Sequence, residues 1–268
     1  MRHGIRSFVA LLALIAAVAA AEAPRTVWLD ELTWTELRDR IHGGATTIIV
    51  PIGGTEQNGP HMALGKHNAR VRYLAERIAG ELGNAIVAPV VAYVPEGSVD
   101  PPVGHMRFPG TITVPAPIFE ATLESAGRSF RLHGFRDVVF LGDHGGYQKD
   151  LRAVADHLNR EWRGTPVRAH AIVEYARAAE VDYARALKER GYRDDEIGVH
   201  AGLADTSLTL AIDPRLVRTE PLAAGAKPAA ADGVNGDPRR ANAELGRAGV
   251  DLIVKETVAA IRKSTARP

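Results

Sequence analysis

Apolar, β-branched runs alternate along the chain with stretches in which apolar residues recur at helical spacing. The runs TTIIVP (46–51), AIVAPVV (85–91), DVVFL (137–141) and VRAHAIV (167–173) are mostly near-continuously apolar, the pattern of strands buried on both faces. Segments 29–41, 68–82, 117–133, 149–162, 181–190 and 242–263 carry the period of amphipathic helices. Strands alternating with helices in this way predict an α/β fold, a three-layer α/β/α sandwich with a mostly parallel central sheet. No internal repeat or linker precedes the Ala/Gly-rich stretch around 222–236, so residues 22–268 read as a single domain.

The first residues stand outside that alternation. Arg2 and Arg6 precede an apolar run over 8–18, which ends in Ala19, Ala20 and Ala21. This is the pattern of a secretory signal peptide, and the run is shorter than the roughly 20 residues that span a bilayer. Residues 1–21 are therefore expected to be cleaved, leaving a periplasmic or secreted protein with no membrane segment. The full chain has 33 Lys+Arg against 32 Asp+Glu, a charge of +1, and loss of the leader moves it to −1. So even a balance argues against nucleic acid or an anionic membrane as the main partner. The chain has no cysteine, which excludes disulfides, a thiolate nucleophile, Cys-ligated zinc and iron–sulfur clusters. Whatever chemistry it performs uses oxygen and nitrogen ligands.

In open parallel sheets the site lies beyond the carboxyl ends of the strands. After the first strand comes a Gly/Pro-punctuated loop with Glu56, Asn58, His61 and His67; after the third comes Gly142-Asp143-His144-Gly145-Gly146. Further on, His200 and Asp205 stand five apart at the start of a helix. Imidazoles and carboxylates converging from separate strand ends suit zinc, manganese or iron. Taken one at a time these residues have plainer readings. Glycines allow turns, His61 lines the pocket or bonds its loop, His105 contacts substrate or holds its loop, and Glu96 is a pocket acid or a solvated turn residue. His42, His133, His157 and His170 lie away from these loops, where surface or core duty is the simpler account.

Four ordered blocks carry a resemblance: PIGGTEQNGPH (51–61), HMRFPGT (105–111), GDHGG (142–146) and HAGLADTSLTLAIDPRLVR (200–218). By these the chain resembles the creatininase (creatinine amidohydrolase) family of metal-dependent amidohydrolases, from about Leu32 to the C-terminal helix. The resemblance implies a single α/β/α domain, a divalent metal and, as in some members, a homo-oligomer such as a hexamer. The departures are informative. The family's Glu, then His, then metal-bridging Asp stand here as Glu56, Asn58 and His67; a second-metal carboxylate of creatininase itself is replaced by Gly146; and Asp205 stands where the family has Glu.

These substitutions predict a mononuclear centre of Glu56, His67 and His144 holding one Zn2+, with Mn2+ or Fe2+ as alternatives, and Asp205 as fourth ligand or base. His200 is the expected proton shuttle, Asp143 the carboxylate that orients His144, and Asn58, His61 and His105 the surrounding outer or substrate-binding groups. The expected function is hydrolysis of a cyclic amide or related C–N bond by metal-activated water. Two alternatives stand beside it: an exported binding protein that keeps the pocket without catalysis, and Fe(II)-dependent oxygen chemistry on a two-His, one-carboxylate site.

Overall fold

The computed structural model describes residues 25–223 and 230–267; the expected leader, residues 1–21, lies outside them. Among the described residues four strands form one parallel sheet in the order β2-β1-β3-β4. They are β1 (Thr47–Ile52), β2 (Ala85–Val87), β3 (Asp137–Gly142) and β4 (Arg168–Ala171). β1 is central, with Thr47 in register with Ala85 on one side and Asp137 on the other. The helices are α1 (Trp34–His42), α2 (Lys66–Leu82), α3 (Ala116–Leu132), α4 (Gln148–Glu161), α5 (Val173–Arg177) and α6 (Tyr183–Glu189). They continue with α7 (Asp194–Ile197), α8 (Leu203–Ile212), α9 (Thr219–Ala223) and α10 (Ala243–Thr265). No described helix is long and apolar enough to cross a membrane.

Successive strand residues enter different cores. Ile49, Val139 and Leu141 pack with Leu74 and Ile78 of α2 and Ile253 of α10, while Ile48, Val50 and Phe140 pack with Leu123 of α3 and Leu158 of α4. A strand buried on both faces has no polar side to alternate with, which is why the β1 and β3 runs read as continuously apolar. The protein is thus the α/β/α sandwich expected from its sequence. On one face α10 lies against α8 so closely that a Cβ on Gly246 would come 1.8 Å from the Ser207 carbonyl oxygen. Only glycine permits that approach.

Element ends differ from the expected ones for local reasons. The 85–91 run forms a strand only to Val87, because Pro89 has no N–H for a ladder; Val91 retains a single bridge to Ile52. The 29–41 segment splits into a turn at Leu29–Glu31 and α1, which starts after Thr33. Thr33 accepts the Glu36 N–H while the Glu36 carboxylate accepts the Thr33 N–H, a reciprocal cap that restarts the helix. α2 begins at Lys66 rather than 68, and this shift brings Lys66 and His67 onto its first turn.

Candidate metal centre

The loop after β1 turns back over the sheet because Gly53 lets it touch α2: a Cβ there would lie 2.2 Å from Asn68 Oδ1 and 2.9 Å from the Asn68 backbone. Three residues on, Glu56 is fully buried and forms the hub of the site. Its Oε1 lies 2.8 Å from His67 Nε2 and 3.7 Å from His200 Nδ1; its Oε2 lies 3.2 Å from His105 Nε2 and 3.5 Å from His144 Nε2. Two sets of potential ligands therefore share Glu56. One is Glu56, His67 and His144, the set expected from the sequence; the other is Glu56, His105 and His200.

His67 is held from behind. Its Nδ1–H donates to Asp143 Oδ2 at 2.6 Å, which fixes the tautomer and turns the Nε2 lone pair toward Glu56. Asp143 also accepts from Arg70 Nε at 2.7 Å and from the Tyr175 hydroxyl at 2.5 Å. Burial alone would raise the Asp143 carboxyl, but the charge of Arg70, the hydrogen bond and charge of His67 and the Tyr175 hydroxyl together lower it. Asp143 thus orients His67, not His144 as the sequence suggested. His144 is extended (φ −128°, ψ 138°), so adjacent side chains point to opposite sides and Asp143 faces away from its neighbour's ring. His144 is anchored instead by the Gly146 N–H, 3.1 Å from its Nδ1.

The remaining expected residues fall into place around this core. The Asn58 amide donates to the carbonyls of Glu56 and Ala63 and so ties the loop that carries Glu56. His61 is fully buried with Nε2 3.0 Å from Thr206 Oγ1 and makes no contact with Glu56; burial, then the charge of Lys66, pushes it down to about 4. Burial and Lys66 likewise push His200 down to about 4, and burial with His67 pushes His144 down to about 3. His200 Nε2–H donates to the Gln57 carbonyl at 3.0 Å. Asp205 has both oxygens engaged: Arg70 donates to Oδ1 at 2.8 Å, and Lys66 and the Ala201 N–H donate to Oδ2 at 2.7 and 2.9 Å. Burial opposes charge on Asp205, but Lys66 and Arg70 hold it well below the usual carboxylate range.

Glu96 belongs to the site rather than to a solvated turn. Its side chain is buried, with Oε2 3.9 Å from His144 Nε2, and burial followed by the charge of Glu56 pushes its carboxyl up to about 9. Sequence reading missed Lys66 and Arg70 as site residues altogether. Their signal is the continuation of the buried α2 stripe Leu74, Val71, Arg70 and His67: a charged residue standing in an apolar helical stripe has a buried partner. Gln57 was missed as well. Its amide nitrogen lies 2.9 Å from His105 Nδ1 and its backbone carbonyl accepts the His200 Nε2–H at 3.0 Å, and nothing in its local pattern announces that bridge.

These residues fit a divalent cation. With its Nδ1–H given to Asp143, His67 presents a lone pair to a carboxylate oxygen 2.8 Å away, and two acceptors so close require a proton or a metal ion between them. Glu56 Oε2 and both Glu96 oxygens are buried with no hydrogen-bond partner; the Glu56 charge is costly there unless a cation answers it, and without one Glu96 keeps its proton. Beside the centre opens a cavity of about 360 Å³, lined by His144, His200 and Lys66 and also by Ala176, Ala184 and Leu208.

An α/β/α sandwich with a Glu/His centre at the carboxyl ends of its strands defines the class. Residues 30–261 match the creatininase family, described as creatinine amidohydrolase, and the chain belongs to that family. It is 28% identical to creatinine amidohydrolase of Pseudomonas putida over 72% of this chain and 74% of that protein. It is 30% identical to the mycofactocin precursor peptide peptidase of Mycobacterium ulcerans over 83% and 87%. It is 27% identical to the 3-dehydro-scyllo-inosose hydrolase of Thermotoga maritima over 74% and 60%. The crystal structure of creatinine amidohydrolase (creatininase) matches the fold with a TM-score of 0.77 at 22% identity, over 91% of this chain and 100% of that one. A creatininase structure described as the Mn form matches equally well, at 24% identity.

Proposed function

We propose that the protein is a metal-dependent hydrolase that cleaves the C–N bond of a cyclic amide or related small molecule, using one divalent ion held by Glu56, His67 and His144. The observation that carries this reading is the buried set of acceptors, Glu56 Oε2 and the Glu96 carboxyl, left without partners among four imidazoles. A divalent ion bound there supplies Lewis acidity and lowers the pKa of water from about 15.7 towards 7. The protein's own groups do the rest. Asp143 keeps the His67 proton on Nδ1, so that Nε2 is free to ligate. Glu96, whose oxygens have no other partner, is a better candidate for a fourth acceptor than Asp205, whose oxygens are taken. Asp205, offered by the sequence as ligand or base, is assigned the positioning of Lys66 and Arg70. His200, unprotonated at neutral pH and held at Nε2 by the Gln57 carbonyl, has Nδ1 open to accept a proton and pass it to the leaving nitrogen. The 360 Å³ cavity, lined by apolar side chains as well as by the imidazoles, suits a compact ring more than an extended peptide.

Metal content of the protein purified without added metal or chelator tests this. About one equivalent of Zn, Mn or Fe, together with hydrolysis of some member of a lactam, imide and cyclic-amide panel, is the expected result. Absence of bound metal even after titration would overturn the proposal in favour of a binding protein. Oxygen consumption with Fe(II), without hydrolysis, would overturn it in favour of oxygen chemistry. We also infer export: N-terminal sequencing of the native protein is expected to start at Glu22, and a first residue of Met1 would overturn that. A homo-oligomer is part of the same reading and is checked by mass in solution.

A further inference from the structure

Lys66 lies deep in the site. Its side chain is 1% exposed, and its ammonium donates to Asp205 Oδ2 at 2.7 Å while lying 3.9 Å from Glu56 Oε1. A buried ammonium is costly unless fixed negative charge answers it, and here two carboxylates do. Helix geometry puts it there. Lys66 is the first residue of α2, beside His67 and four residues before Arg70, so the ammonium and the guanidinium meet Asp205 together. Lys66 also lines the cavity, as His67 and His200 do, so the residue belongs to the walls of the site itself.

The charges of the site can be balanced. Its charged carboxylates are Glu56, Asp143 and Asp205; its fixed cations are Lys66 and Arg70; imidazoles that ligate a metal are neutral. One negative charge is left over, or two where Glu96 ligates as a carboxylate. One divalent ion answers them, and a second would leave a positive excess of at least two in a buried site.

We propose that Lys66 is a built-in cation: its ammonium bridges Glu56 and Asp205 where a second metal ion would otherwise sit, and it limits the centre to one divalent ion. This rests on the metal-centre reading above. Removing the ammonium leaves Glu56 Oε1 and Asp205 Oδ2, the latter still held by the Ala201 N–H, without the cation that they share. Two carboxylates on either side of a vacated ammonium call for positive charge, which a second divalent ion can supply through their oxygens. The role is one of positioning and charge, so its signature is stoichiometry and needs no substrate.

The test is equilibrium dialysis of the full mature protein against Zn2+ or Mn2+ alone, followed by metal analysis. The wild type is expected to hold one equivalent, Lys66→Ala two, and Lys66→Arg, which keeps the charge, one. Lys66→Ser gives the same reading should the alanine variant fold poorly, with circular dichroism confirming the fold of each. One equivalent in a folded Lys66→Ala and Lys66→Ser would overturn the assignment while leaving the metal centre intact. Two in the wild type, through Glu56, His105 and His200, would overturn it as well. None in the wild type would overturn the metal-centre reading and this inference with it.

Discussion

Asp143→Ala is expected to destabilise the fold by about 3–5 kcal/mol, because removing one partner of a buried ion pair leaves the other charge uncompensated. Asp143 is the common acceptor for Arg70, His67 and Tyr175, and Arg70 is 5% exposed, so the guanidinium keeps one carboxylate, Asp205, and the backbone carbonyl of residue 143. Against a typical total of about 5–15 kcal/mol this is a large fraction. It should show as a lower denaturation midpoint with unchanged dependence on denaturant. The pH dependence follows from the depressed carboxyl. Asp143 contributes its full stabilisation above the ordinary carboxylate value of about 3.9 and loses it as pH falls through its lower folded value. The wild type and the alanine variant should therefore converge in stability in strong acid. A variant within about 1 kcal/mol of wild type, the centre of ordinary point mutations, would show that the cluster of Arg70, His67 and Tyr175 does not depend on this carboxylate.

Glu56→Gln is expected to remove bound metal and hydrolysis together. The amide keeps the shape and the loop but removes the charge that every imidazole of the centre faces, and it places an NH2 group or a neutral oxygen 2.8 Å from His67 Nε2. His67→Ala should do the same from the other side. Each should weaken metal binding by more than the about 10–100-fold that loss of an outer orienting partner costs, measured by competition with a chromophoric chelator. Retention of one equivalent by both variants would place the ion elsewhere, with His105 and His200 as the remaining imidazoles.

The ends of the strands were legible in the sequence because fold topology limits where chemistry can sit. Glu56 and His144 follow the two central strands, and the apolar runs of those strands announce themselves. The fold class was legible for the same reason. What lay beyond reading was the register of side chains inside the centre. Asp143 and His144 are neighbours in sequence, yet extended backbone between them sends one to Arg70 and the other to the cavity. Lys66 was hidden by the start of α2: read as loop, it had no direction; read as the first helical residue, it shares a flank with His67 and Arg70. Gln57 reaches His105 and His200 across segments whose proximity only the folded chain creates.

The central position of β1 has a consequence in time. β1 needs β3 to complete its ladder, and the site needs the loop before α8, so Glu56 meets His200 only when most of the chain has collapsed. A half-folded chain presents scattered imidazoles and carboxylates with little preference among metals, whereas the finished cage binds on its own terms. Divalent ions rank by intrinsic affinity, with copper and zinc ahead of manganese and iron, and proteins escape that ranking by where they meet the metal. For a centre assembled this late, the choice of ion rests on the metals present where the chain folds as well as on the ligands themselves.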